Sequence, residues 1–305
     1  MRNKNLYLIV LLFTFFGVEI PRADVVQISP NKDNTLYEDA QGDVSNGAGW
    51  YIFVGRTNQL SNYRRRALVA FDLTESIPDG STIQSVTLTL HLSNEPFLAP
   101  ARTVALRKLL GDWGEGTSDA IGAEGSGGAA ATNDATWLHQ FFNSDTWTTA
   151  GGDFSGTISG STTVDNIGFY TVASTAQMVA DVQGWLDNPA ANFGWLLLGT
   201  ESISQTARRF DSRQNPTVAN RPVLTVTFLP PSCCVGIRGD IDGNGTTADI
   251  LDLTYMINDI YRGGLNSPCP EEADLDNNGT PSTVLDLTYL INDIFRGGPD
   301  SPACP

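Results

Sequence analysis

The chain has 305 residues, with 34 acids against 18 bases, a formal net charge of −16 and 41% hydrophobic residues. Such an excess of negative charge excludes nucleic acid as a natural partner, because the surface repels phosphate. The apolar content suffices for a folded core of domain size.

The N-terminus carries Arg2 and Lys4, an apolar run from Leu6 to Val18, and then Ala23. A charged start, a short apolar stretch and a small residue form the pattern of an export signal over 1–23. The run is shorter than the roughly 20 residues that cross a bilayer, and no later segment is apolar enough to do so. The mature protein is therefore expected to be secreted or held at the cell surface, without a membrane span.

Residues 24–229 read as short alternating runs. Ser85–Leu92 and Pro222–Phe228 alternate polar and apolar residues as half-buried strands do, and Ala67–Phe71, Val104–Leu109, Phe169–Val172 and Trp195–Leu198 are further strand candidates. Asn46-Gly47, Asp79-Gly80 and Asn188-Pro189 mark turns between them. One helix is expected at Ser174–Asp187, capped by Ser174, with Met178, Val182 and Trp185 on its buried face. The Gly/Ala/Ser-rich stretch from Gly114 to Thr132 predicts a long mobile loop. Many strands and turns over about 200 residues predict a mainly β chain built as a single β-sandwich.

Dense basic groups are rare in this acidic chain. Arg64, Arg65 and Arg66 form one group, and Arg208, Arg209 and Arg213 another, with Trp50, Tyr51 and Tyr63 near the first in sequence. Arginine suits carboxylate-bearing sugars and aromatic rings suit sugar faces, so Arg64, Arg65, Arg208, Arg213 and Trp50 are candidate ligand residues for a polysaccharide, including an acidic one. The same arginines also suit internal salt bridges with acids such as Asp72 or Asp211. Trp113, Trp137, Trp185 and Trp195 are expected in the core.

The tail contains one pattern twice, 34 residues apart. Asp240, Asp242, Asn244, Gly245 and Asp252 precede a helix-like run ending at Gly263-Gly264; Asp274, Asp276, Asn278, Gly279 and Asp286 precede another ending at Gly297-Gly298. Oxygen-bearing side chains at positions 1, 3 and 5, a glycine at 6 and a closing carboxylate are what a calcium loop uses. Two calcium ions are expected, held by Asp240, Asp242, Asn244, Asp252 and a carbonyl near Thr246, and by Asp274, Asp276, Asn278, Asp286 and a carbonyl near Thr280. Each closing carboxylate stands one residue later than in the twelve-residue EF-hand loop, with Asp249 and Thr283 inside the extended loops. Leu253, Ile257 and Ile260, and Leu287, Ile291 and Ile294, lie at helical period after them.

All four cysteines, Cys233, Cys234, Cys269 and Cys304, bracket this repeat. Four cysteines allow three pairings; a bond between adjacent residues is strained, so bridges from Cys233 and Cys234 to Cys269 and Cys304 are expected. A zinc site is the rival reading, which the export signal and the absence of a nearby histidine oppose. The Cys-containing stretch 230–239 reads as a linker and 240–305 as a small module.

The duplicated loop–helix resembles a type I dockerin over about residues 236–305, which implies calcium uptake and a cohesin-like scaffold protein as partner. Ile250-Leu251 and Val284-Leu285 fall where dockerins present partner-selecting residues. Residues 26–228 resemble the DNRLRE (disaggregatase-related) family in Ser45-Asn46-Gly47, Arg66–Leu73, Ile77–Ile83, Trp113–Gly116, Ala135-Thr136-Trp137 and Phe210–Arg213. That resemblance implies a jelly-roll-like β-sandwich and carbohydrate binding. Three functions are expected to compete. The first is an exported non-catalytic glycan binder in polysaccharide-binding or -degrading assemblies. The second is a surface or fibre protein that assembles through calcium. The third is a hydrolase or lyase, although no acid pair stands in a motif and His91 and His139 are the sole histidines.

Overall fold

The computed structural model describes residues 23–97, 99–264, 266–298 and 301–304. The expected export signal, Ala23 apart, lies outside the described residues. In chain order the strands are β1 (Asp24–Ile28), β2 (Lys32–Tyr37), β3 (Val44–Ser45), β4 (Tyr51–Arg56), β5 (Arg64–Ala70), β6 (Thr82–Asn94), β7 (Arg102–Lys108) and β8 (Gly128–Ala129). They continue with β9 (His139–Phe141), β10 (Asp145–Thr146), β11 (Gly160–Val164) and β12 (Gly168–Val172). Helix α1 (Ala176–Asp187) precedes β13 (Trp195–Leu198), β14 (Arg208–Asp211) and β15 (Val223–Leu229); α2 (Ile250–Arg262) and α3 (Val284–Arg296) close the chain. The chain divides into two units, 23–231 and a tail from Ser232.

The first unit is a large curled antiparallel sheet of eleven strands, in the order β1-β15-β6-β14-β4-β5-β13-β7-β11, with β12 beside β6 and β2 beside β5. Alternation builds it. Val86, Leu88, Leu90 and Leu92 of β6 are buried every second residue, as are Leu224, Val226 and Phe228 of its neighbour β15. Ile83 is buried out of phase with that run, because the register shifts between Thr227 and Phe228 and the extra residue in β6 is absorbed in a bulge. The sheet turns its corner at β4, which pairs with β14 through Tyr51–Val54 and with β5 through Gly55 and Arg56. Gly55 is needed there: its φ is +106°, and a Cβ would stand 2.6 Å from the Thr206 carbonyl oxygen.

The core lies within the curl. Ile52, Val54, Ala67, Val69, Leu106, Leu197 and Phe210 meet the β6 and β15 residues, and Met178, Val182 and Trp185 of α1 pack among them. Burial of each such Leu or Val contributes about 1.5–3 kcal/mol. Strand β5 is buried on both faces: Leu68 and Ala70 turn away from this core into a second cluster with Leu36, Trp113, Trp137, Trp147 and Leu196. All four tryptophans expected in the interior are there, at 5% exposure or less.

Two local expectations are corrected. Thr175 caps α1, its hydroxyl accepting from Met178 N at 3.0 Å, whereas Ser174 accepts from Val86 N of β6. The stretch 114–132 is a loop pinned at many points. Glu124 accepts from Asn46 Nδ2 and from the backbone N–H groups of Trp50 and Tyr51, Tyr37 donates its hydroxyl to the Glu124 carbonyl, and β8 pairs with β3.

The tail buries Ile241, Met256, Ala273, Leu275, Leu287 and Leu290 between its two loop–helix copies. Cys233 is bonded to Cys269 and Cys234 to Cys304. The stretch expected as a linker belongs to this unit from Ser232 on, since Arg238 N donates to the Pro302 carbonyl and Cys304 N to that of Gly236. No helix among the described residues is long and apolar enough to cross a membrane.

Candidate metal centres

Each tail loop folds its three aspartates into one cluster. Ligand atoms of Asp240, Asp242 and Asp252 lie within 4.8 Å of one another, and so do those of Asp274, Asp276 and Asp286. Backbone N–H groups aim them. In the first loop Gly245 N donates to Asp240 Oδ2 (2.9 Å), Asn244 N to Asp242 Oδ1 (3.1 Å) and Thr246 N to Asn244 Oδ1 (2.8 Å). In the second, Gly279 N donates to Asp274 Oδ2 (3.1 Å), Asn278 N to Asp276 Oδ1 (3.1 Å) and Thr280 N to Asn278 Oδ1 (2.9 Å). The asparagine amides also donate to Asp242 and Asp276, while Thr246 and Thr280 stand on the exposed rim. The same bonds therefore recur 34 residues apart.

The closing carboxylates lie inside the helices, not ahead of them. Asp252 and Asp286 are the third residues of α2 and α3 and complete capping boxes with Asp249 and Thr283 as N-caps. Asp252 Oδ1 accepts from Ile241 N at 2.7 Å, which ties the helix start to the loop. The residue that lengthens each loop is accommodated by a left-handed backbone at Ala248 (φ 52°) and its counterpart Ser282 (φ 55°). Their N–H groups bond to the carbonyls of Gly239 and Ala273, just before the loops.

The donor set suits a hard cation. Every ligand atom is oxygen, three carboxylates converge in each loop, and Asp240 Oδ1 is buried with no hydrogen-bond partner. A buried unpaired carboxylate oxygen is costly unless a cation meets it. Burial pushes the Asp252 and Asp276 carboxyls up from their ordinary range, and for Asp276 the adjacent Asp286 adds to it. A divalent ion reverses both effects.

The two loops are braced to each other. Glu272, just before the second loop, accepts from Gly239 N (2.9 Å) and Asp240 N (3.3 Å) of the first. Arg238, just before the first loop, pairs with Asp274 Oδ2 of the second at 3.0 Å. On the outside, Ile250 and Leu251 and their counterparts Val284 and Leu285 are each 55–63% exposed.

The arginines singled out in the sequence do not form one surface. Arg64 is bound to Glu38, and Arg213 makes a two-pronged pair with Glu115 at 2.5 and 2.6 Å. Arg65 is 3% exposed and spends its donors on the carbonyls of Gly125, Asn62 and Arg64. Arg208 is 1% exposed, facing Glu95 and donating to the Pro100 carbonyl. Arg65 and Arg208 are thus interior residues, out of reach of a bound sugar. Arg66 pairs with Glu201 and not with Asp72. Trp50 is half exposed, at the start of β4.

Two further groups stand out in the sheet unit. Asp33 is 1% exposed, and burial pushes its carboxyl up to about 8; it accepts from Arg213 N, sealed from any substrate. His91 Nδ1 lies 2.6 Å from Asp211 Oδ2, a pairing that depends on strand register and leaves no mark in the sequence.

No family model matches the chain, and no curated protein matches it.

Proposed function

We propose that this is an exported, non-catalytic protein whose sheet unit binds a polysaccharide and whose tail takes up two calcium ions and, so ordered, docks to a cohesin-like scaffold. The observation that carries the calcium reading is the recurrence of one oxygen-lined, N–H-aimed cluster in both loops. Asp240, Asp242 and Asp252, with Asn244 and a carbonyl near Thr246, would hold one ion. Asp274, Asp276 and Asp286, with Asn278 and a carbonyl near Thr280, would hold the other. Calcium supplies charge neutralisation there, and the chain supplies the orientation of its ligands.

Export is supported by the disulfides, which persist in oxidising compartments. Docking is supported by the exposed pairs Ile250-Leu251 and Val284-Leu285, which occupy the partner-selecting positions of the dockerin resemblance. The curled antiparallel sheet accommodates the jelly-roll-like sandwich that the DNRLRE resemblance implies, and with it carbohydrate binding. Polysaccharide pull-downs test the sheet unit, and size-exclusion chromatography with and without calcium tests the tail. Retention on a glycan together with a monomeric calcium-loaded protein supports this reading. Calcium-dependent oligomers with no glycan retained favour a surface or fibre protein, and release of reducing sugar or unsaturated uronate favours an enzyme.

A further inference from the structure

The outer face of β6 carries residues that the account above leaves without a role. Between the buried Val86, Leu88, Leu90 and Leu92, the residues Thr89, His91 and Ser93 point the other way. Register sets Phe169 of β12 beside His91, and their rings lie 4.6 Å apart. On the other side of His91 stands Asp211 of β14, and beyond it Tyr51 of β4, with the Arg209 guanidinium 3.8 Å from the Tyr51 ring centre. The row crosses four neighbouring strands, a span of about 14 Å.

The sheet holds the row's polar groups from behind and leaves them room for a ligand. Asp211 is 2% exposed and both its oxygens are used, one by His91 and one by Asn215 Nδ2 at 2.9 Å, so it fixes the imidazole from behind. His91 Nε2 is left without a protein partner among the described residues. Arg209 bonds only to the hydroxyl and carbonyl oxygens of Ser93, at 3.2 and 3.3 Å. Arg64, Arg66, Arg208 and Arg213 each face a glutamate, whereas Arg209 has no carboxylate in ion-pair range among the described residues. Phe169 is 57% exposed, with the Thr171 hydroxyl on the same face.

We propose that this row is the glycan site of the sheet unit and that its ligand is a linear polysaccharide containing uronic acid, an inference that rests on the glycan-binding reading above. Phe169 offers an apolar face to a sugar ring, and Thr171 offers a hydroxyl beside it. Arg209 offers N–H donors to the uronate carboxylate, and His91 Nε2 offers an acceptor to a sugar hydroxyl. Charge complementarity selects the anion, because the Arg209 guanidinium stands in this row with only the Ser93 oxygens as acceptors among the described residues.

The test is a calorimetric titration of the full mature chain with an oligouronate, its carboxyl-reduced counterpart and a sulfated neutral oligosaccharide, repeated with Phe169→Ala, Arg209→Gln and Arg64→Ala. Phe169→Ala and Arg209→Gln are expected to weaken oligouronate binding at least tenfold without lowering the melting temperature, while Arg64→Ala binds as the parent. The carboxyl-reduced and sulfated sugars are expected to bind at least tenfold more weakly than the oligouronate. In the unaltered protein the His91 ring resonances are expected to shift with oligouronate, a readout that needs no variant. Oligouronate binding that survives both substitutions, with His91 unmoved, overturns the row and leaves glycan binding elsewhere intact. Equal binding of the reduced or sulfated sugar overturns the uronate assignment. Failure to bind any of the three sugars removes the glycan reading itself, and this site with it.

Discussion

Arg238 and Asp274 are joined by a 3.0 Å ion pair, so the segment entering the first loop grips the first carboxylate of the second. Glu272 returns the grip by holding the backbone of Gly239 and Asp240. Both residues are at most 5% exposed, where a bond lost leaves its partner without water to replace it. Glu272→Ala is expected to destabilise the tail by about 1–3 kcal/mol, because the Gly239 and Asp240 N–H groups lose their acceptor. It is also expected to weaken calcium uptake at both loops, although Glu272 is a ligand of neither. Calcium titration of the variant checks this; a loss confined to one loop contradicts the brace.

The bridges Cys233–Cys269 and Cys234–Cys304 join residues 36 and 70 positions apart. Closing spans of that size restricts the unfolded chain and stabilises the folded one by about 4 kcal/mol each in the chain-entropy picture. The tail core is small, with six fully or nearly buried apolar residues among the described ones, so it has little else to fall back on. Reduction in the presence of a chelator is expected to unfold the tail at room temperature while the sheet unit stays folded. Amide exchange resolved along the chain measures it; tail protection that survives both treatments contradicts the expectation.

Asp33 gives the sheet unit a pH dependence. Its carboxyl is pushed from 3.8 to about 8, chiefly by burial, against the backbone bond from Arg213 that favours its charge. A carboxyl raised in the folded state binds its proton more tightly there than in the unfolded chain. Its contribution is therefore fully present below about pH 4 and is lost as the pH rises towards 8. Asp33→Asn removes that loss, since the amide stays neutral. The variant is expected to match the parent near pH 4 and to exceed it by a few kcal/mol at pH 8.5. Denaturant melts at the two pH values decide, and a parent that gains on the variant as pH rises contradicts the assignment.

Asp181 is a second buried carboxylate, and a fully engaged one. It accepts from Ser159 Oγ, Trp195 Nε1 and Gln177 Nε2, holding α1 against β13 and against the residue that leads into β11. Asp181→Ala strands the Trp195 and Ser159 donors in the core. A loss of about 3 kcal/mol or more in the stability of the sheet unit is expected from denaturant melts. A loss below 1 kcal/mol shows that these donors find other partners.

Much of this was legible where one residue's neighbours in sequence are also its neighbours in space. The strands at Ser85 and Pro222 are legible by alternation, those at Ala67, Val104, Phe169 and Trp195 as short runs between turn signals, and both loop clusters by the spacing of their aspartates. The cap of α1 was misplaced by one residue because Ser174 and Thr175 are equally good caps locally. Register with β6 claims Ser174 for Val86. The partners of the arginines are illegible for a related reason: the sequence shows charge but not the glutamates 26, 98 or 135 positions away that face Arg64, Arg213 and Arg66. The row from Phe169 to Tyr51 was illegible altogether, being assembled from four strands whose pairing only the folded sheet sets.

The claim beneath the rest is that the paired aspartate clusters are calcium sites, and isothermal titration of the full mature chain with calcium addresses it directly. The account predicts uptake of two ions per chain with a Kd of about 0.1–1 mM. It also predicts that Asp240→Ala and Asp274→Ala each remove one ion. No heat of binding across that range, or uptake unchanged when both aspartates are replaced, contradicts it.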